Sequence, residues 1–187
     1  MEIIQSWDMF IVNFINTNLH SFIGDFLMIL FSRLGSGGLI WIAAALLLLI
    51  SKQYRFFGAL LLISLLLSVV FSEGLLKNII ARDRPFIANP QIKLLIPPLD
   101  SFSLPSSHAV SSFAAAFIVR QVNKNLGLIA YIMATIIAFS RIYLAMHYPT
   151  DVIIGFLLGT GIAFIVYTLF NQLMKKRLPD IHNLPDI

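Results

Sequence analysis

Apolar and polar positions follow two patterns along this chain. Near the start, Ile3, Ile4, Trp7, Phe10, Ile11, Phe14 and Ile15 recur at helical spacing, with Gln5, Asp8, Asn13 and Asn16 on the other side. That is the pattern of an amphipathic helix, expected over residues 1–19 and lying in a membrane interface. Six longer apolar runs follow, at 22–34, 38–51, 56–80, 107–122, 126–146 and 151–173. A helix crosses about 30 Å of hydrocarbon with roughly 20 apolar residues. The runs therefore predict an all-α fold, a polytopic bundle of six transmembrane helices, although the first two are short. Residues 81–105 break the pattern, because Pro85, Pro90, Pro97, Pro98 and Pro105 cannot all sit inside helices. Long loops of this kind tend to carry function. No internal repeat or composition shift divides the chain, so residues 1–187 read as a single domain.

Composition sharpens this reading. Of 187 residues, 58% are hydrophobic and only 12% charged, which makes lipid the main solvent of the fold. With no cysteine, disulfide and thiolate chemistry are excluded. The net charge of +4 comes from basic residues scattered singly between apolar runs, so it describes topology and not a nucleic-acid partner. With six spans, one side collects Lys52, Arg55, Arg120, Lys124, Lys175, Lys176 and Arg177, and the other Arg33, Lys77, Arg82, Arg84, Lys93 and Arg141. Once Lys77, Arg84 and Arg141 are reserved for chemistry, the positive-inside bias makes the first set cytoplasmic. Both termini are then expected in the cytoplasm and the long loop outside. The start of the chain lacks the basic residues of a signal peptide.

Ionisable residues are costly in such a chain and mark function by default. Three clusters fall on one side. Lys77 and Arg84 are seven positions apart, close to two helical turns, and Pro85 turns the chain after them. Pro105, Ser106, Ser107 and His108 open the fourth run, where free backbone N–H groups favour an anion. Ser140, Arg141, His147 and Asp151 span the turn between the last two helices. Three cations and a helix N-terminus specify a phosphate group, and two histidines with a carboxylate specify its transfer. His147, held in one tautomer by Asp151, would be the nucleophile and form a phosphohistidine. His108 would protonate the leaving oxygen and then activate water. No carboxylates or histidines near these clusters have metal-ligand spacing, so the cations are expected to do what magnesium does elsewhere, and activity is expected in EDTA.

Taken together, these clusters resemble the type 2 phosphatidic acid phosphatase (PAP2) superfamily, whose signature runs KxxxxxxRP, PSGH and SRxxxxxHxxxD. All three occur here in order, with Ser107 in place of the glycine of PSGH. The resemblance implies that His108 is the acid and base, His147 the nucleophile, and that Lys77, Arg84, Ser106, Ser107 and Arg141 bind phosphate, with Asp151 supporting His147. It further implies a lipid phosphate substrate in a bacterial cell membrane, with no cofactor and no metal. Undecaprenyl diphosphate is the first substrate it points to, followed by phosphatidylglycerophosphate and phosphatidic acid. A non-catalytic lipid-phosphate binder or transporter is disfavoured by the presence of both histidines. The vanadate-dependent haloperoxidase branch is disfavoured by the apolar spans.

Other residues have blander readings. Glu73 stands one turn before Lys77 and reads as its structural ion-pair partner. Asp83 and Asp100 read as solvated loop carboxylates. Gly155 and Gly159 fit either a dimer seam or close packing within the bundle. The apolar stretch 92–96 fits either a membrane-surface gate or ordinary packing.

Overall fold

The computed structural model describes the backbone of residues 2–177 and the side chains of residues 3–173. Residues 1 and 178–187, and the side chains of Lys175, Lys176 and Arg177, lie outside the described part. Its helices are α1 (Glu2–Asn18), α2 (Phe22–Gly35), α3 (Leu39–Ile50), α4 (Arg55–Val69), α5 (Lys77–Ile80), α6 (Pro85–Ala88), α7 (Ser107–Val122), α8 (Lys124–Tyr143) and α9 (Pro149–Arg177). A π-helical segment, Val70–Leu76, joins α4 to α5. There is no strand among the described residues, and the all-α expectation holds.

Helix α7 is the hub. It packs on α4, α8 and α9, and Ala109, Val110, Ala114, Ala115 and Ala116 are buried along it. Small side chains let its neighbours approach closely. Gly155 and Gly159 serve this approach within the bundle: a Cβ at Gly159 would collide with the carbonyl oxygen of Val110, and one at Gly155 would lie 2.7 Å from Ala109 Cβ. The same docking brings the start of α9 against the start of α7, where Ser106 N donates to Asp151 O at 3.1 Å.

Four helical stretches among the described residues are long and apolar enough to cross a membrane: Phe22–Ile50, Arg55–Ala88, Lys124–Tyr143 and Pro149–Leu173. Helix α7, at 16 residues, is shorter. The first two expected spans prove to be one broken stretch. Gly37 and Gly38 take left-handed conformations at φ 60° and 69°, which glycine adopts freely, and the chain bends there between α2 and α3. Helix α2 does not cross by itself. Near its start Asp25 accepts from Tyr143 Oη at 2.7 Å, and at its end a Cβ on Gly35 would meet His108; Tyr143 closes α8 and His108 opens α7, both at the same end of the bundle. Helix α3 then descends beside α4, and its Trp41 Nε1 donates to Ser112 Oγ of α7 at 2.9 Å.

The two ends of the described chain do not share one end of the bundle. Helix α1 also lies at the end of the bundle where α7 begins and α8 finishes, where Asp8 pairs with Arg82, whereas α9 runs from Asp151 towards the opposite end. The start and finish of the described chain are thus at opposite ends of the bundle, with α2 and α3 forming one continuous apolar stretch, Phe22–Ile50. The polar side of α1 faces protein: Gln5 and Asp8 bond Arg82, Asn13 bonds Asn89, and Asn16 donates to Lys93 O. Its apolar side faces outward, with Trp7 64% and Phe10 61% exposed. Residues 92–96 take the packing option, since Ile92, Leu94, Leu95 and Ile96 join clusters with Val12, Ile15, Met146 and Tyr148.

Candidate active site

The three sequence clusters converge at one end of the bundle. Lys77 is buried at the top of the π-helical segment, with Nζ 2.6 Å from Glu73 Oε1 and 3.4 Å from Ser101 Oγ; the expected structural ion pair with Glu73 is present. Arg84, only 1% exposed, sits just before Pro85, whose fixed φ starts α6 and keeps Arg84 extended. Its guanidinium donates to Ser101 O at 2.6 Å, Phe102 O at 3.1 Å and Met146 O at 2.7 Å. These bonds clamp the long loop onto the turn that carries His147.

Arg84 Nη1 also lies 3.3 Å from His147 Nε2. Arginine only donates, so Nε2 is the unprotonated nitrogen and Nδ1 carries the proton. Nδ1 faces Asp151 Oδ2 at 3.5 Å, an ion-pair separation still too long for a hydrogen bond. Removal from water is the main influence on this ring. Asp151 opposes it, Arg84 and Arg141 add to it, and together they hold His147 down at about 3, far below the ordinary 6.5. A neutral imidazole with a free lone pair on Nε2 is the form a nucleophile requires.

Asp151 is fully buried and both of its carboxylate oxygens accept hydrogen bonds. Oδ1 accepts from Arg82 Nη1 at 2.6 Å, and Oδ2 accepts from Tyr148 N at 2.9 Å and from the hydroxyl of Ser103. On the other side of the cluster, His108 sits in the first turn of α7. Its Nε2 lies 3.2 Å from Ser32 O and 3.5 Å from Ser36 Oγ. Arg141, 2% exposed, donates Nη1 to the Ser32 hydroxyl. Ser107 donates its hydroxyl to Glu73 Oε1.

Two features mark this end as an anion site. Among the described residues, neither Arg84 nor Arg141 has a carboxylate within ion-pair distance, so two guanidinium charges are buried without a direct counter-charge. The buried atoms Ser106 Oγ and Arg141 Nε also have no protein partner. Ser106 caps α7, whose first N–H groups point the same way. Among the described residues no group of three or more His, Cys, Asp or Glu side chains is arranged to hold a metal ion.

All eight residues singled out from sequence lie in this cluster. The sequence reading missed Arg82, Asp8, Thr150 and Ser103, which surround Asp151 from behind, and Ser32 and Ser101, which orient Arg141 and Arg84. Arg82 had a signal in being one of two arginines flanking Asp83. Asp8 had one in being a carboxylate within an otherwise uncharged helix face.

Residues 57–175 match the family model described as the PAP2 superfamily. Undecaprenyl-diphosphatase of Sulfolobus acidocaldarius is 37% identical over 141 residues, 74% of this chain and 67% of that protein. Lipid A 4'-phosphatase of Bacteroides thetaiotaomicron is 25% identical over 96% of this chain and 84% of that protein, whereas Bacitracin transport permease protein BcrC of Bacillus licheniformis is 33% identical over 45% of this chain and 41% of its own length. Among solved structures, the transmembrane PAP2 type phosphatidylglycerolphosphate phosphatase of Bacillus subtilis shares the fold, with a TM-score of 0.77 at 24% identity over 92% of this chain and 88% of that one. Aquifex aeolicus LpxE aligns with a TM-score of 0.77 and 25% identity, over 87% and 95% of the two chains. The chain belongs to the PAP2 superfamily and is a multi-pass membrane lipid phosphatase of that family.

Proposed function

We propose that the protein hydrolyses the terminal phosphate of undecaprenyl diphosphate through a phosphohistidine on His147, without metal. Two buried guanidinium groups without a direct carboxylate partner, beside a neutral histidine with Nε2 turned towards one of them, carry this reading. The His147 Nε2 lone pair forms the N–P bond as the bond from phosphorus to the bridging oxygen breaks, and His108 gives that oxygen its proton. Water then attacks phosphorus, His108 takes the proton, the N–P bond breaks and inorganic phosphate leaves. Arg84, Arg141, Lys77, Ser106 and the N–H groups at Ser107 and His108 hold the equatorial oxygens, where charge accumulates. The likeness to undecaprenyl-diphosphatase of Sulfolobus acidocaldarius supports the diphosphate substrate; phosphatidylglycerophosphate and phosphatidic acid are the competitors to be measured.

The membrane arrangement we propose has five crossings: α2 with α3, α4 with α5, α7, α8 and α9. Lys52, Arg55, Arg120 and Lys124 then face the cytoplasm, and the site opens on the outer surface. Helix α1 lies in that outer interface with Trp7 and Phe10 in lipid. The chain has no cysteine, so single cysteines report sidedness cleanly. An impermeant maleimide added to intact cells should label Asn18→Cys and spare Asn125→Cys; the reverse pattern would invert the topology.

Phosphate release by purified protein in EDTA, with the three lipids side by side, tests the chemistry. Wild type is expected to turn over undecaprenyl diphosphate fastest, and His147→Ala to be slower by more than about a thousandfold. Full activity in His147→Ala, or a metal requirement in wild type, would overturn the mechanism.

A further inference from the structure

The carboxylate of Asp151 is held from behind by an element outside the family match at residues 57–175. Arg82 Nη1 lies 2.6 Å from Asp151 Oδ1, and Nη2 of the same guanidinium lies 2.6 Å from Asp8 Oδ2. Asp8 belongs to α1 and is 2% exposed. Its other oxygen accepts from Thr150 N at 3.1 Å, and Oδ2 accepts from the Thr150 hydroxyl as well. Thr150 is the second residue of α9 and immediately precedes Asp151, so Asp8 caps α9 from a different helix. Arg82 is further fixed by stacking over Tyr148, 3.9 Å from the ring centroid, and Tyr148 directly follows His147.

We infer that Asp8 is a positioning residue for phosphoryl transfer, acting through Arg82 and Thr150 on Asp151; this rests on the reading of His147 as nucleophile. Two effects operate together. The first is charge. Arg82 alone with Asp151 would form a neutral pair and leave little negative charge for His147. With Asp8 present, two carboxylates share one guanidinium, and Asp151 keeps a net attraction for the imidazolium that forms when Nε2 bonds to phosphorus. The second is placement. His147 Nδ1 and Asp151 Oδ2 stand 3.5 Å apart and must close to about 2.8 Å to share a proton strongly. The grip of Asp8 on the Thr150 backbone sets where α9 begins, and with it where Asp151 can move. The N-terminal helix is on this account a part of the catalytic apparatus, reached through three side chains.

The test compares Asp8→Asn and Asp8→Glu with wild type on a polyprenyl diphosphate in detergent. Enzyme concentration is taken from the number of sites that form phosphoenzyme trapped by an alkaline quench, in which a phosphohistidine survives, so partial misfolding does not enter kcat. Asp8→Asn keeps the shape and loses the charge; kcat per competent site should fall about tenfold or more, with KM within about twofold. Asp8→Glu keeps the charge and should recover part of the loss. A purely structural role predicts fewer competent sites that turn over at the wild-type rate, and that result overturns the proposal. So does an Asp8→Asn enzyme with wild-type kcat. If His147→Ala is inactive and Asp8→Asn is not impaired, this inference alone fails. If His147→Ala is active, the mechanism beneath it fails.

Discussion

Arg82 and Arg84 are separated by one residue and live in opposite electrostatic worlds. Arg82 lies between two carboxylates, Asp8 and Asp151, each at 2.6 Å. Arg84 bonds only carbonyl oxygens, a serine hydroxyl and the edge of His147, and no carboxylate among the described residues lies within ion-pair distance of it. Arg141 is alike, with one serine hydroxyl as partner and a buried Nε that has none. A satisfied buried cation is scaffold. A buried cation without a counter-charge is unfavourable unless a ligand brings that charge. The fold thus has one paired layer behind Asp151 and one cationic layer in front of His147, and the proposed substrate phosphate would enter the second.

Methionine substitutions should separate the two layers. Arg141→Met removes an uncompensated buried charge while keeping apolar volume, so kcat/KM should fall about a hundredfold or more while thermal stability is held or raised. Arg82→Met should do the reverse in kind. It leaves Asp8 and Asp151 buried without their shared cation, and stability should drop by about 3–5 kcal/mol, read as the urea midpoint or melting temperature in a fixed detergent. If Arg82→Met is as stable as wild type, the paired layer is not scaffold; if Arg141→Met melts far earlier, the front layer is.

Acid should expose the same contrast more gently. His147 is held at about 3 by burial and by the neighbouring arginines, whereas in the unfolded chain it titrates near 6.5. Below pH 6.5 the unfolded chain binds a proton that the folded chain refuses, so folding stability falls as pH falls, and this contribution levels off near pH 3. At pH 5 the ring should cost about 2 kcal/mol relative to neutral pH. His147→Gln should therefore lose less stability than wild type between pH 7 and pH 5. Parallel losses in the two proteins would mean that the ring is not buried neutral.

The front layer was legible in the sequence and the rear layer was not. Lys77, Arg84, His108, Arg141, His147 and Asp151 stand at the ends of apolar runs, where a charge has no ordinary reason to be, and their spacing within each cluster fixes a common side. Asp8 and Arg82 meet across 74 positions, and no local pattern carries such a contact. On its own helix Asp8 reads as the polar face of an amphipathic segment, and the period is the same whether that face meets water or protein. The fold class was legible for the reason the front layer was, since apolar runs of this length require helices. The number of traverses was not. Residues 22–34 and 38–51 look like two short spans, and only the left-handed turn at Gly37 and Gly38 makes them one. A glycine pair reads equally as a loop or as a bend within a single crossing.

Ser107 offers the smallest and most specific test, because it is where this chain departs from the PSGH pattern. Its hydroxyl donates to Glu73, which in turn holds Lys77 Nζ at 2.6 Å. Lys77 is therefore the one front-layer cation already carrying a counter-charge, and Ser107 helps keep it there. Ser107→Gly removes the tether while leaving the backbone N–H at the start of α7, so Glu73 releases Lys77 more readily to a substrate phosphate. One hydrogen bond of about 1 kcal/mol corresponds to a rise in kcat/KM of about fivefold. Glu73→Gln should act in the same direction, and the double variant should gain little over Glu73→Gln alone, since both changes act on one network. Additive gains would place Ser107 and Glu73 in separate roles, and a tenfold loss in Ser107→Gly would mean that the hydroxyl contacts the substrate itself.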